Sequence, residues 1–290
     1  MTMRLPRALV TLTLAAGAVL RQAAPQAETP RTFEVVALKP SKDDQPGARL
    51  RILPGGRVEF RNTPLSTIIF IAYQLQVFSQ IDGLPDWTQA ERYDVDAKAG
   101  VELPSSVWAP DSPLHQMLQS MLADRSKLAA RTERRRQPIY SLVKARSDGR
   151  LGPRLTLSSG DCVNTPAPPA GAGAQSNDQA PRCGLRAAIG YYAGRAVPLQ
   201  RVADYIASAL GRPVVDNTGV RGDVDFELRF RLEPPSGAAA VGAAPPPLSD
   251  DPAVPTLTTA VQEQLGLKVV SATAAVDVLV IEHVERPSPD

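Results

Sequence analysis

Residues that commonly carry chemistry are scarce in this chain. It holds two cysteines and two histidines in 290 residues. His115 and His283 stand far apart, and no HExxH, HxH or Cys/His cluster at ligand spacing occurs. A lone histidine among apolar residues is ordinarily structural. There is no GxSxG elbow, no P-loop and no GxGxxG fingerprint. Neither sign of charge dominates: 32 Lys and Arg face 30 Asp and Glu, for a net +2 and a pI near 8.6. That balance is too weak to argue for nucleic acid. Long apolar runs are missing too. The longest, residues 8–20, is shorter than the roughly 20 residues a helix needs to span a bilayer.

What that run does have is context. Arg4 and Arg7 precede it, and small and polar residues follow in RQAAPQAETP. The order is that of a secretory signal peptide over residues 1–27, with cleavage after Ala18 or Ala27 both allowed. The expected location is therefore periplasmic or extracellular, with no transmembrane helix once the signal is removed. In an exported chain an even cysteine count favours a disulfide, here Cys162–Cys183. It would staple the ends of VNTPAPPAGAGAQSNDQAPR, contributing roughly 3 kcal/mol by the chain-entropy model. Prolines number 28 and gather in 163–181 and 234–255, which marks linkers rather than a disordered chain.

Between these linkers the chain repeats itself. GRVEFRNTPLSTIIFIAYQL and GYYAGRAVPLQRVADYIASAL each carry a strand-like run, a Pro-Leu pair and an amphipathic helix. Leu65, Ile68, Ile69, Ala72 and Leu75 form one stripe, and Leu199, Val202, Ala203, Ile206 and Leu210 form the other. ERYDVDAKA then corresponds to GDVDFELRF, and a helix at 113–125 to one at 255–266. Two strand-like runs close each half: KLAARTERR and PIYSLVKAR, then LKVVSAT and AVDVLVIEHV. The expected fold class is α+β: two tandem β-α-β-β-α-β-β units, helices packed on small mixed sheets. The units would span 31–150 and 187–290, joined by the linker 151–186, with a Pro/Ala-rich insert at 234–255.

The repeat decides how the acidic residues are read. Asp216-Asn217-Thr218-Gly219 lies one residue away from an aspartic-protease loop, but that chemistry needs Asp-Thr-Gly contiguously and twice. The matching stretch in the first half is IDGLPDW, so DNTGVRG reads as turn chemistry. Asp225 lines up with Asp94 in an alternating strand. RTERRR contributes Arg131, Arg134, Arg135 and Arg136. They read as a solvated hairpin whose charges protect an edge strand, or as a contact for an anionic envelope partner. Trp87 and Trp108 are candidate ligand platforms, Trp87 more readily a plug at the base of the first unit.

FEVVALKPS, PGGRVEFRNTPLSTIIFIAY, GLPDWTQAERYDVDAKA, QPIYSLV and VPLQRVADYIASALGRPVVDNTGVRGDVDFELRF, in that order, resemble the soil-associated bacterial secreted protein family. The resemblance covers about residues 32–288 and implies export and a role that is undefined or non-enzymatic. Two departures stand out: ADRSKL, where an aromatic more often follows the arginine, and the length of the 234–255 insert. Some members look fused to sensor-type metallopeptidases that signal β-lactam stress; HExxH is absent here. Each half also resembles, more weakly, the short N-terminal docking domain of secretins and TonB-dependent receptors.

Three readings follow. The first is an exported, non-catalytic binding or docking module of the cell envelope, for a protein, glycan or small ligand. The second is a hydrolase or carbohydrate-active enzyme, with Asp94 or Asp96 meeting Asp225 or Glu227 between the units. The third is a small-ligand sensor. No catalytic, cofactor-binding or metal-ligating residue is assigned.

Overall fold

The computed structural model describes residues 31–42, 47–104, 112–160, 181, 183–231 and 254–288. The signal-peptide segment, Trp108, Cys162 and most of the 234–255 insert lie outside the described residues. Arg31–Asp290 forms one compact unit. Among the described residues it is mixed helix and strand, an α+β arrangement of three four-stranded sheets.

The first sheet contains β1 (Phe33–Pro40), β2 (Arg49–Leu53), β3 (Arg57–Pro64) and β5 (Arg92–Ala99), ordered β1-β5-β3-β2. Its inner face is built by simple alternation. Val58 and Phe60 on β3 and Tyr93, Val95 and Ala97 on β5 point inward, while Asp94 and Asp96 take the opposite face. Helices α1 (Leu65–Ala72) and α3 (Leu114–Ser126) bury Ile68, Ile69, Leu118 and Leu122 in the same core. The short α2 (Trp87–Ala90) brings Trp87 to the edge of that core, where Arg286 lies 5.1 Å over its ring.

The second sheet contains β7 (Leu155–Leu157), β8 (Gly184–Ala188), β9 (Tyr191–Pro198) and β11 (Asp223–Arg229), ordered β7-β11-β9-β8. Val224, Phe226 and Leu228 alternate inward. They meet Val202, Ala203 and Ile206 of α4 (Gln200–Leu210) and Ala260, Val261 and Leu265 of α5 (Leu257–Leu265).

Both sheets carry the same irregularity. In the β3–β5 ladder the register shifts between Phe60 and Thr63, and Asn62 adopts φ +49°. Its N–H donates to Asp94 Oδ1 at 2.9 Å. In the β9–β11 ladder the register shifts between Val224 and Phe226, Ala196 adopts φ +51°, and its N–H donates to Asp225 Oδ1 at 2.8 Å. A bulge leaves an N–H without a ladder partner, and a side chain in the left-handed region carries strain. The aspartate on the facing strand supplies the missing acceptor. Two residues after each bulge comes the proline that hands the strand over to its helix, Pro64 or Pro198.

The third sheet departs from expectation. KLAARTERR and PIYSLVKAR are not two strands of a hairpin; they form one strand, β6 (Ala129–Lys144). LKVVSAT and AVDVLVIEHV likewise form one strand, β12 (Leu267–His283). The two pair antiparallel from Leu267↔Lys144 to His283↔Ala129. At roughly 3.3 Å per residue the ribbon is about 50 Å long. The short β10 (Val214–Asp216) and β4 (Ile81–Asp82) join its sides in parallel, giving the order β10-β6-β12-β4. Pro138 suggests a break in sequence, but β10 begins alongside Tyr140, so Pro138 sits where that side of β6 has no ladder to interrupt.

Because the ribbon is so long, each strand serves both cores. On β12, Leu267 packs in the α4/α5 core and Leu279 and Ile281 in the α1/α3 core. On β6, Ala130 packs against the first core and Leu142 inside the second. Val77, from the segment after α1, also crosses into the second core.

The bulge latches make a prediction. Asp225→Ala strands the Ala196 N–H, so stability should fall by about 1–3 kcal/mol in chemical denaturation, whereas Asp225→Asn, which keeps an acceptor, should lose less. Equal losses for both would show that the carboxylate is not acting as the bulge acceptor.

Candidate functional site

A cleft of about 760 Å³ opens beside the middle of the ribbon. The end of α1 and the turn after it form one wall; α4, β8 and β9 form the other; β10 and the ribbon close the base. Its geometry follows from how α1 stops. Leu75 N–H bonds back to Phe70 O at 3.1 Å and Gln74 N–H to Ile71 O at 3.1 Å, with Gln74 at φ +51°. This is a Schellman stop with glutamine at the position glycine usually takes. It throws the chain sideways, so that Gln76 and Gln80 reach elements far away in sequence.

Gln76 behaves as a substitute strand residue. Its Nε2 donates to Val214 O at 3.0 Å, and Val214 N–H donates to its Oε1 at 3.0 Å. The outward edge of β10 is thereby closed at that residue. Gln80 Oε1 accepts from the N–H groups of Gln76 and Val77 at 2.9 and 3.1 Å, while its Nε2 donates to Asp277 O on β12 at 3.0 Å. The two amides thus pin the α1 turn to the base of the cleft.

Asp204 on α4 is the hub of the opposite wall. Its Oδ1 accepts from Gln76 and Gln200 Nε2, each at 2.9 Å, and its Oδ2 lies 3.1 Å from Arg201 Nη1. Beside it Tyr192 and Tyr205 stack with ring centroids 4.0 Å apart and planes 13° apart. Tyr192 donates to Arg201 O at 3.1 Å. Across the cleft Phe70 stacks on Phe78 at 4.7 Å. Burial pushes the Tyr73, Tyr192 and Tyr205 phenols up, so all three stay protonated near neutrality.

The residues singled out in sequence land in various places. Asp216 lines the cleft and also accepts from Thr218 N–H at 2.8 Å; Val220 N–H then bonds Thr218 Oγ1 at 3.1 Å, with Gly219 at φ +68°. DNTG is a turn in this structure. Asp94, Asp96, Asp225 and Glu227 are not brought together. The first two stand on the first sheet and the others on the second, and none lines the cleft. Asp96 pairs with Arg61 at 2.6 Å and Glu227 with Arg154 and Arg229 at 3.1 and 2.7 Å.

Of the arginine run, Arg134 lines the cleft and faces Asp277, its register partner, at 3.7 Å. Arg131 pairs with Glu133 and, at 2.8 Å, with Glu282. Arg135 bridges Asp82 and Glu133, 2.7 Å from each. These bonds hold the Asp82 and Glu133 carboxyls below their usual range. Arg136 is exposed, with no ion pair among the described residues. The run is a ladder of cross-strand charge pairs rather than a bare basic patch. His115 is buried in α3, and exposed His283 lies 2.8 Å from Glu285. Cys183 immediately precedes β8; with Cys162 outside the described residues, the bridge between them stays an expectation.

Sequence reasoning did not assemble the cleft. Tyr73 and Tyr205 stand just off the apolar stripes of their helices, a position that favours a half-buried ring facing something other than the core. The Gln76/Gln80 pair gives no comparable signal, because its partners come from β10 and β12.

Comparison with known proteins adds one match. A family model described as a protein of unknown function (DUF3738) covers residues 66–284. No curated protein and no solved structure matches the chain.

The glutamine brace is testable. Gln76→Ala leaves the Val214 N–H and C=O without their partner and should cost about 1–3 kcal/mol, with faster hydrogen exchange at Val214. Unchanged protection at Val214 would contradict the bracing role.

Proposed function

The chain belongs to the DUF3738 family, and from that premise we propose an exported, non-catalytic binding module whose ligand site is the cleft beside the ribbon. One observation carries the reading. The cleft, at about 760 Å³, falls within the range of roughly 300–1,000 Å³ that small-molecule sites occupy, and rings and amides held by long-range bonds line it. Walls braced in advance lower the ordering cost of binding. The carboxylates offered for hydrolysis serve other ends: Asp94 and Asp225 latch bulges, and Asp96 and Glu227 hold arginines.

The same reading covers the origin of the fold and its location. We take the halves to be two copies of one unit. The matching sheet orders, bulges and Pro-Leu helix starts support this, as does the exchange of ribbon ends between cores. The family match spans both halves together. Export, and a Cys162–Cys183 bridge formed after it, rest on the N-terminal pattern and the even cysteine count. No helix among the described residues is long and apolar enough to cross a membrane.

The test is a thermal-shift screen of the full chain against a mixed library of saccharides, peptides, nucleotides and lipids. Ser208→Trp, which fills the cleft from the exposed side of α4, is run in parallel. A ligand at a hundredfold excess over Kd should stabilise the native chain by about 2.7 kcal/mol and leave the variant unshifted. Absence of any ligand, or equal shifts in both proteins, would refute the cleft as the site.

A further inference from the structure

We propose that the ligand of this cleft is a neutral oligosaccharide; the proposal rests on the binding reading above and narrows it to one chemical class.

The polar groups of the cleft divide into those already held by partners and those that are not. The charged ones other than Asp216 are already held in ion pairs. Arg201 and Asp204 pair at 3.1 Å, and the second Asp204 oxygen accepts from Gln76 and Gln200. Arg134 faces Asp277 at 3.7 Å and donates to Ala275 O at 3.0 Å. Asp216 caps its own turn. An anionic ligand would compete with Asp277 for the exposed Arg134 or with Asp204 for Arg201, and the second pair, with side chains 19% and 27% exposed, is the costlier to break.

The side chains left with no hydrogen bond at all are neutral. Among the described residues the side chains of Tyr73, Gln74, Tyr205 and Ser208 line the cleft with no hydrogen bond. Three are hydroxyls and one is a carboxamide, so each both donates and accepts. A sugar hydroxyl has that same dual character. The rings supply the other half of sugar recognition, a flat apolar surface. Tyr205 is fixed by its stack on Tyr192 and by an edge contact with Phe230 at 5.8 Å, and Phe70 by its stack on Phe78.

An extended peptide fits less well at the base of the cleft. Peptides gain affinity in such places by adding to a free strand edge. At the base of this cleft Gln76 already occupies both the N–H and the C=O that Val214 would offer.

The experiment is isothermal titration of the full chain with maltotetraose, cellotetraose, xylotetraose and chitotetraose. An alginate tetramer and an alanine tetrapeptide serve as charged and peptide comparators. At least one neutral tetrasaccharide should bind, with a Kd that does not move with added salt. The double variant Tyr73→Phe/Tyr205→Phe keeps both rings and removes both hydroxyls. It should retain its Tm and bind that sugar about tenfold more weakly. If the alginate or peptide probe binds and no neutral sugar does, the saccharide assignment is overturned while the cleft remains a binding site. If no probe binds, and the broad screen is also silent, both readings fall. Wild-type sugar affinity in the double variant would overturn the placement of the ligand on these hydroxyls.

Discussion

The antiparallel pairing of β6 with β12 is the constraint on which the rest of the structure depends. Sixteen and seventeen residues long, these strands run past both cores and lend apolar side chains to each. Neither core is closed by local sequence alone. Leu279 and Ile281, near the end of the chain, complete a core built mostly from residues 38–128, and Val77 and Leu142 enter one built mostly from residues 155–267. Hydrophobic burial in each half therefore requires the other half to be in register. The charge ladder of Arg131, Arg134 and Arg135 with Asp82, Asp277 and Glu282 runs along the same ribbon. Exposed, solvent-screened pairs of this kind add little net stability, so they help set register rather than provide bulk stability.

The cleft is a consequence of that ribbon. β10 pairs in parallel with β6, and α4 leads into β10, so the wall carrying Tyr205 and Asp204 is hung from the ribbon. The opposite wall ends in Gln76 and Gln80, which grip β10 and β12 through their amides. Bulges latched by Asp94 and Asp225 aim the strands that launch α1 and α4. Long-range packing, rather than any local motif, thus places rings and hydroxyls opposite one another.

Much of the fold was legible in the sequence. The stripes beginning at Leu65 and Leu199 marked α1 and α4, and alternation around Val95 and Phe226 marked β5 and β11. α4 and α5 end at Gly211 and Gly266, both at positive φ. The stops of α1 and α3 were less visible, because Gln74 and Lys127 occupy left-handed positions without the glycine that advertises them. The two long strands were read as four short ones. Pro138 suggested a break, and burial on both faces of β12, Val276 and Val278 on one and Leu279 and Ile281 on the other, blurs the alternation. The candidate site was the least legible part. Its groups come from seven separated stretches, and no spacing within one of them reveals that Gln76 meets Val214 or that Tyr73 shares a cleft with α4.

Calorimetry of the full chain tests the shared ribbon most directly. Interdependent cores should unfold in a single transition whose calorimetric and van't Hoff enthalpies agree. Leu142→Ala, though confined to the second core, should shift that whole transition downward. Two resolved transitions, with only one displaced by Leu142→Ala, would show that the halves fold independently and would contradict the account.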